Sequence, residues 1–94
     1  EEDSDYKKID DNNYIFEGRV MIQDLCKVMD LPTETFDAVK GESDSLAGLV
    51  LELAGDFPKP AAILTSGDFE FTVLEVAKNR LQKIKVSIKR QYPI

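Results

Sequence analysis

The sequence predicts one small α+β domain, and three observations lead there. Apolar residues recur at helical spacing in two segments of the first half, they alternate at strand spacing through the second half, and 94 residues suffice for one hydrophobic core rather than two. The expected architecture is a small antiparallel or mixed sheet packed by two or three helices. Hydrophobic residues are 43% of the chain and charged residues 32%, a balance that excludes a disordered or collagen-like chain and requires a buried face.

Residues 1–12 carry Glu1, Glu2, Asp3, Asp5, Asp10 and Asp11 against Lys7 and Lys8. With few apolar side chains to hold an element, they are expected to be an acidic flexible linker. Asp10, Asp11, Asn12 and Asn13 offer oxygens to calcium, but a calcium loop also needs a central glycine and a terminal bidentate acid, and neither is in place. Tyr14, Ile15, Phe16 and Glu17, bounded by Asn13 and Gly18, are expected to form a strand that Arg19 and Val20 extend.

From Met21 the period changes. Ile22, Leu25, Cys26 and Met29 occupy one face of an amphipathic helix that ends before Pro32. A short helical turn is expected over residues 33–39, with Phe36 and Val39 as its apolar pair. Ser43, Asp44 or Ser45 caps a stronger helix in which Leu46, Leu49, Val50 and Leu53 repeat the same spacing. Gly48 inside it costs about 1 kcal/mol relative to alanine, which close packing against another element would offset. Gly55 is its stop signal, and Asp56-Phe57-Pro58-Lys59-Pro60 reads as an extended corner.

Strand spacing then takes over: residues 61–65, a Ser66-Gly67-Asp68 turn, residues 69–76, a connection over residues 77–80, and residues 81–90. Phe69, Phe71 and Val73 alternate, and Ile84, Val86 and Ile88 oppose Lys83, Lys85, Ser87 and Lys89, so one sheet face is buried and the other wet.

Several function classes are closed by composition. The chain has no histidine, which removes imidazole as base, acid or metal ligand, and one cysteine, which removes an internal disulfide and a multi-cysteine zinc site. Cys26 lies on an apolar helix face and is expected in the core rather than as a nucleophile. No dinucleotide or phosphate-loop glycine motif occurs, and the longest strongly apolar run, Leu46 to Gly55, is far shorter than the roughly 20 residues that span a bilayer. Net charge is -6, yet residues 76–94 contain Lys78, Arg80, Lys83, Lys85, Lys89 and Arg90 with no acid. This basic strip reads as a solvated face or protein contact, in competition with an external anion; nucleic acid is not expected. A first residue other than methionine, inside an acidic stretch, suggests a piece of a longer protein.

Taken together, Tyr14-Ile15-Phe16-Glu17-Gly18, Asp24-Leu25, Leu31-Pro32, Leu46-Ala47-Gly48-Leu49-Val50-Leu51, Gly55-Asp56-Phe57-Pro58 and Phe69-Glu70-Phe71-Thr72-Val73-Leu74 resemble the transporter-associated domain of the CorC/HlyC family. The resemblance implies a domain over residues 13–90 between the linker and a C-terminal tail of residues 91–94. It implies an α+β unit similar to part of the PCMH-type FAD-binding fold of vanillyl-alcohol-oxidase-type enzymes. It also implies a cytoplasmic, noncatalytic regulatory or protein-interaction domain. Such a domain follows a membrane region and a CBS pair in magnesium and cobalt efflux or hemolysin-like proteins, with a gliding-motility-related variant. The implied partners are that CBS-type region, the membrane domain and a second copy. The alternative is a module for FAD or another adenine nucleotide, with Arg80, Lys83, Lys85, Lys89 and Arg90 on the phosphates and backbone N–H groups near Gly48 or Gly67. Two departures bear on it. Asp44-Ser45-Leu46-Ala47-Gly48-Leu49 keeps one glycine of the family's pair, and Lys59-Pro60-Ala61-Ala62-Ile63 replaces a Gly-Asp or Gly-Glu turn, which weakens loop-mediated ligand contact.

Overall fold

The computed structural model describes residues 6–78 and 80–89. Five strands and two helices follow one another: β1 (Tyr6–Asp10), β2 (Asn13–Glu17), α1 (Ile22–Val28), α2 (Leu46–Ala54), β3 (Ile63–Ser66), β4 (Phe69–Ala77) and β5 (Arg80–Ile88). The strands form one sheet in the order β1-β2-β5-β4-β3, and every neighbouring pair is antiparallel. The expected α+β class holds, with two helices among the described residues.

Period 2 decides which face is buried. Tyr14 and Phe16 on β2, Phe71 and Val73 on β4, and Ile84 and Val86 on β5 sit in registered rows on one face and join Ile22, Leu25, Cys26, Leu46, Leu49 and Val50 of the helices in a single core. Each such large side chain stabilises the fold by about 1.5–3 kcal/mol when fully buried. Ser45 caps α2, its hydroxyl accepting from the Gly48 N–H at 3.1 Å, and Gly55 ends the helix in the left-handed region at φ 74°. At Gly48 a Cβ would lie 2.7 Å from the Ser43 side chain, in the loop that leads into the same helix rather than on the separate element expected.

Gly18 ties the layers together. Its N–H donates to the Gln82 carbonyl at 3.0 Å and its own carbonyl accepts from Ala47 N–H at 2.9 Å. An added Cβ would run into the Leu81 carbonyl oxygen, so only glycine lets β2 turn toward α1 while touching both β5 and α2.

Three expectations change. Residues 6–10, read as part of a flexible linker, form β1. Its backbone pairs with β2 and Tyr6 rests 5.7 Å from the Phe16 ring, so a strand with five exposed side chains is held by its neighbour rather than by its own burial. Arg19 and Val20 do not extend β2, because the chain turns at Gly18 and Val20 N–H donates back to Glu17. Residues 33–39 are successive turns instead of a helix. Thr35, Asp37 and Val39 donate three residues back, to Pro32, Glu34 and Phe36, and Phe36 is the anchor, edge-on to Phe69 at 5.0 Å and Phe71 at 5.8 Å. The tail at residues 91–94 and Arg90 lie outside the described residues.

Candidate functional site

The helices cover one face of the sheet, and the opposite face is the candidate surface. Across its three central strands run registered rows of outward side chains: Glu17, Lys83 and Glu75 in one, Ile15, Lys85 and Thr72 in the next, Asn13, Ser87 and Glu70 in the third. Lys7 and Ile63 extend the middle row onto the edge strands. A groove of about 360 Å³ lies on this face, lined by Lys7, Ile15, Glu17, Leu74, Glu75 and Lys83 together with Tyr6 and Phe16.

A register shift makes the groove. On β4, Leu74 is an extra residue between Val73, which pairs with Ile84, and Glu75, which pairs with Lys83. Alternation already turns Leu74 to the open face, 39% exposed, and the bulge keeps Glu75 on that face beside it. Sequence reasoning missed Leu74, although a signal was there: the alternation Phe69, Phe71, Val73 leaves this apolar residue at an outward position. It also missed Lys7, which came with the unexpected strand β1.

The residues singled out for a nucleotide are not brought together. Arg80 begins β5 opposite Ala77, at the far end of β4 from the turn that holds Gly67, so the two are separated by roughly 25–30 Å of strand. Gly48 belongs to α2, on the other side of the sheet, and its N–H is already committed to Ser45. Lys83 sits between Glu17 and Glu75, and the Lys89 ammonium lies 3.7 Å from the Glu70 carboxylate. A phosphate at either lysine would compete with carboxylates already beside it. Lys85, between Ile15 and Thr72, has no acid in its row and adds a small pull on Asp10 across the sheet.

The remaining candidates resolve into structural roles. Asp10 closes the β1–β2 turn: its carboxylate accepts from Asn12 N–H at 2.8 Å and from Asn13 Nδ2 at 2.8 Å. The Asn12 N–H above all, and the Asn13 side chain with it, hold the Asp10 carboxyl below its ordinary range. Cys26 is fully buried, and burial pushes its thiol up, away from the thiolate a nucleophile needs. Among the described residues no group of three acids or cysteines is placed to hold a metal ion, and no helix is long and apolar enough to cross a membrane.

Comparison with known proteins agrees with the fold. Residues 7–90 match the family model described as the CorC/HlyC transporter associated domain. YegH of Escherichia coli is 29% identical over 82 residues, which is 87% of this chain and 15% of that protein. Hemolysin C of Brachyspira hyodysenteriae is 30% identical over 86 residues, 92% of this chain and 31% of that protein. The chain therefore spans less than a third of the curated relatives it matches. The solved transporter associated domain of a CBS domain protein from Porphyromonas gingivalis superposes with a TM-score of 0.83 at 30% identity, over 90% of this chain and 98% of that one. The region associated with a putative Mg2+ and Co2+ transporter (CorC) of Neisseria meningitidis shares the fold, with a TM-score of 0.74 at 18% identity over 90% of this chain and 99% of that one.

Proposed function

The chain belongs to the CorC/HlyC transporter-associated domain family, and from that premise we propose that it is a noncatalytic regulatory domain of a larger membrane-associated protein that exports divalent cations. Its working surface is the open sheet face. On this reading the domain lies on the cytoplasmic side and packs against the preceding CBS-type region, so that a rearrangement there biases the conformation of the membrane portion.

One observation carries the reading: Leu74 stands exposed in a groove bordered by the Glu17, Lys83, Glu75 row, and the bulge after Val73 sets Glu75 on the same face. An apolar anchor ringed by charges of both signs suits a protein surface, where the anchor supplies affinity and the charges fix register. It does not suit a dinucleotide, which needs converging donors without competing carboxylates. Nor does it resemble a catalytic centre, which needs a nucleophile and base in contact.

The experiment is a titration of the labelled 94-residue chain with the isolated CBS-type region of its parent protein, followed by amide chemical shifts. The expected shifts map to Ile15, Thr72, Leu74 and Lys83, and Leu74→Arg weakens binding at least tenfold with the fold intact. In the full-length protein the same substitution alters divalent-cation efflux. Shifts confined to the helical face, or unchanged binding by the Leu74→Arg chain, would refute the reading. Saturable shifts on adding ADP or FAD alone would replace it with a nucleotide module.

A further inference from the structure

The two edges of the sheet are protected unequally. β1 carries Lys7, Lys8 and Asp10 among its five residues and slips register beside Ile9. Charges and bulges both discourage a foreign strand from pairing at an edge. β3, at the opposite edge, reads Ile63-Leu64-Thr65-Ser66, with no charge, no proline and an unbroken register against β4. Its side chains alternate exposed and half-buried, and Ile63 is 58% exposed.

Antiparallel alternation fixes which backbone groups of β3 are free. The Ala62 carbonyl accepts from Val73 N–H at 2.9 Å. The next bonded pairs along the ladder are therefore Leu64 with Phe71 and Ser66 with Phe69, in the observed register. The N–H and C=O of Ile63 and Thr65 then point away from β4, into the open edge.

We propose that this edge is a self-association surface on which β3 pairs antiparallel with β3 of a second copy, across a two-fold axis at Leu64. With that centring, Ile63 of each copy faces Thr65 of the other, and all four exposed N–H and C=O pairs are used. Leu64 meets its own counterpart as the non-bonded pair, where side chains approach most closely. Centring on Ile63 or Thr65 would engage only one edge residue per copy. The same axis sets the Gly67-Asp68 turn of one copy against the Pro60 turn of the other, with Lys59 beside it, so the flanking charges are opposite in sign. β1 cannot self-pair as favourably, because a two-fold centred on its middle residue sets Lys8 against Lys8. The result is a continuous sheet of two domains. The edge is short beside the roughly 800 Å² per partner of a stable interface, so the free chain associates weakly, with a dissociation constant on the order of 0.1–1 mM.

The inference is independent of the regulatory reading, and its test uses the 94-residue chain, whose solved relatives are isolated domains of the same extent. Sedimentation equilibrium from micromolar to millimolar chain should give a monomer–dimer equilibrium. Amide exchange at Ile63 and Thr65 should slow as concentration rises, while Leu64 and Ser66 stay protected throughout. Thr65→Pro removes an outward N–H without touching the β4 ladder and should raise the dissociation constant at least tenfold. Leu64→Cys should oxidise to a covalent dimer, and Ile63→Cys, whose counterpart is Thr65, should not. A chain monomeric at millimolar concentration, or a dimer indifferent to Thr65→Pro and protected elsewhere, would overturn the proposal.

Discussion

Ala61 holds a conformation that belongs to glycine, and replacing it should stabilise the domain. Its φ is +72°, and it is the third residue of a turn closed by the bond from Ala62 N–H to the Lys59 carbonyl at 3.0 Å. Proline second and positive φ third is the pattern of a type II turn, in which the third position favours glycine. An L-residue in the left-handed region costs about 1–2 kcal/mol, and glycine returns about 0.5–1 kcal/mol of that through its freer unfolded state. Ala61 is exposed, so its methyl contributes little packing. Ala61→Gly should therefore gain about 0.5–1 kcal/mol, raising the melting temperature by about 2–8 °C for a domain of this size. Urea denaturation measures the gain directly, as a higher midpoint at constant slope. Ala62→Gly, at a residue whose φ is not positive, is the control and should lose about 0.5–1 kcal/mol. Gly67→Ala is the mirror test, because φ is +59° there and a Cβ would meet nothing within 4 Å; it should lose about 1 kcal/mol from backbone strain alone. Equal effects of Ala61→Gly and Ala62→Gly would refute the reasoning.

Gly18→Ala should cost about 3 kcal/mol or more, since the new methyl meets the backbone of β5 rather than a yielding side chain; a melting-temperature loss under 5 °C would contradict this. Asp10, whose carboxyl is held below its ordinary range, contributes stability that is present above the unfolded value near 3.8. That contribution is lost as pH falls through the lowered folded value, so amide exchange in the β1–β2 hairpin should accelerate in acid before the core opens, and Asp10→Asn should flatten the dependence. Cys26 should resist a thiol reagent in the native state and react stoichiometrically in denaturant, because its thiol is both buried and pushed up in pKa.

The core was legible because each of its elements repeats one period. Ile22, Leu25, Cys26 and Met29, then Leu46, Leu49 and Val50, then Ile84 and Val86 are all buried as their spacing requires. Where the expectation failed, burial was not the cause of structure. β1 exists through backbone pairing to β2, which leaves no apolar pattern in Lys7-Lys8-Ile9. Residues 33–39 have helix-compatible spacing, but one aromatic anchor on Phe69 and Phe71 satisfies the segment without a helix. The open face was half legible: Lys83 and Lys85 point outward as expected, whereas the carboxylates beside Lys83 come from β2 and β4, and cross-strand register is not written in local sequence. Ala61 shows the same limit from the other side. The departure of residues 59–63 from the family's glycine turn was visible, and the positive φ of Ala61 was not.

The position of β5 in the sheet has a consequence for how the domain comes into being. It is the last of the described strands in chain order, yet it lies at the centre, bonded to β4 beside it and to β2 across a sequence distance of 74 residues, where Ser87 Oγ donates to Asn13 Oδ1 at 2.7 Å. During synthesis β2, both helices and the β3–β4 hairpin emerge before the strand that joins them, with Phe16 and Val73 lacking Ile84 between them. Loop closure over that distance must precede any reward from the central pairing, so folding should be slow for the chain's size and all-or-none once β5 arrives. A nascent chain stalled before Arg80 would remain protease-sensitive, and release of the final strand would complete the whole domain in one step.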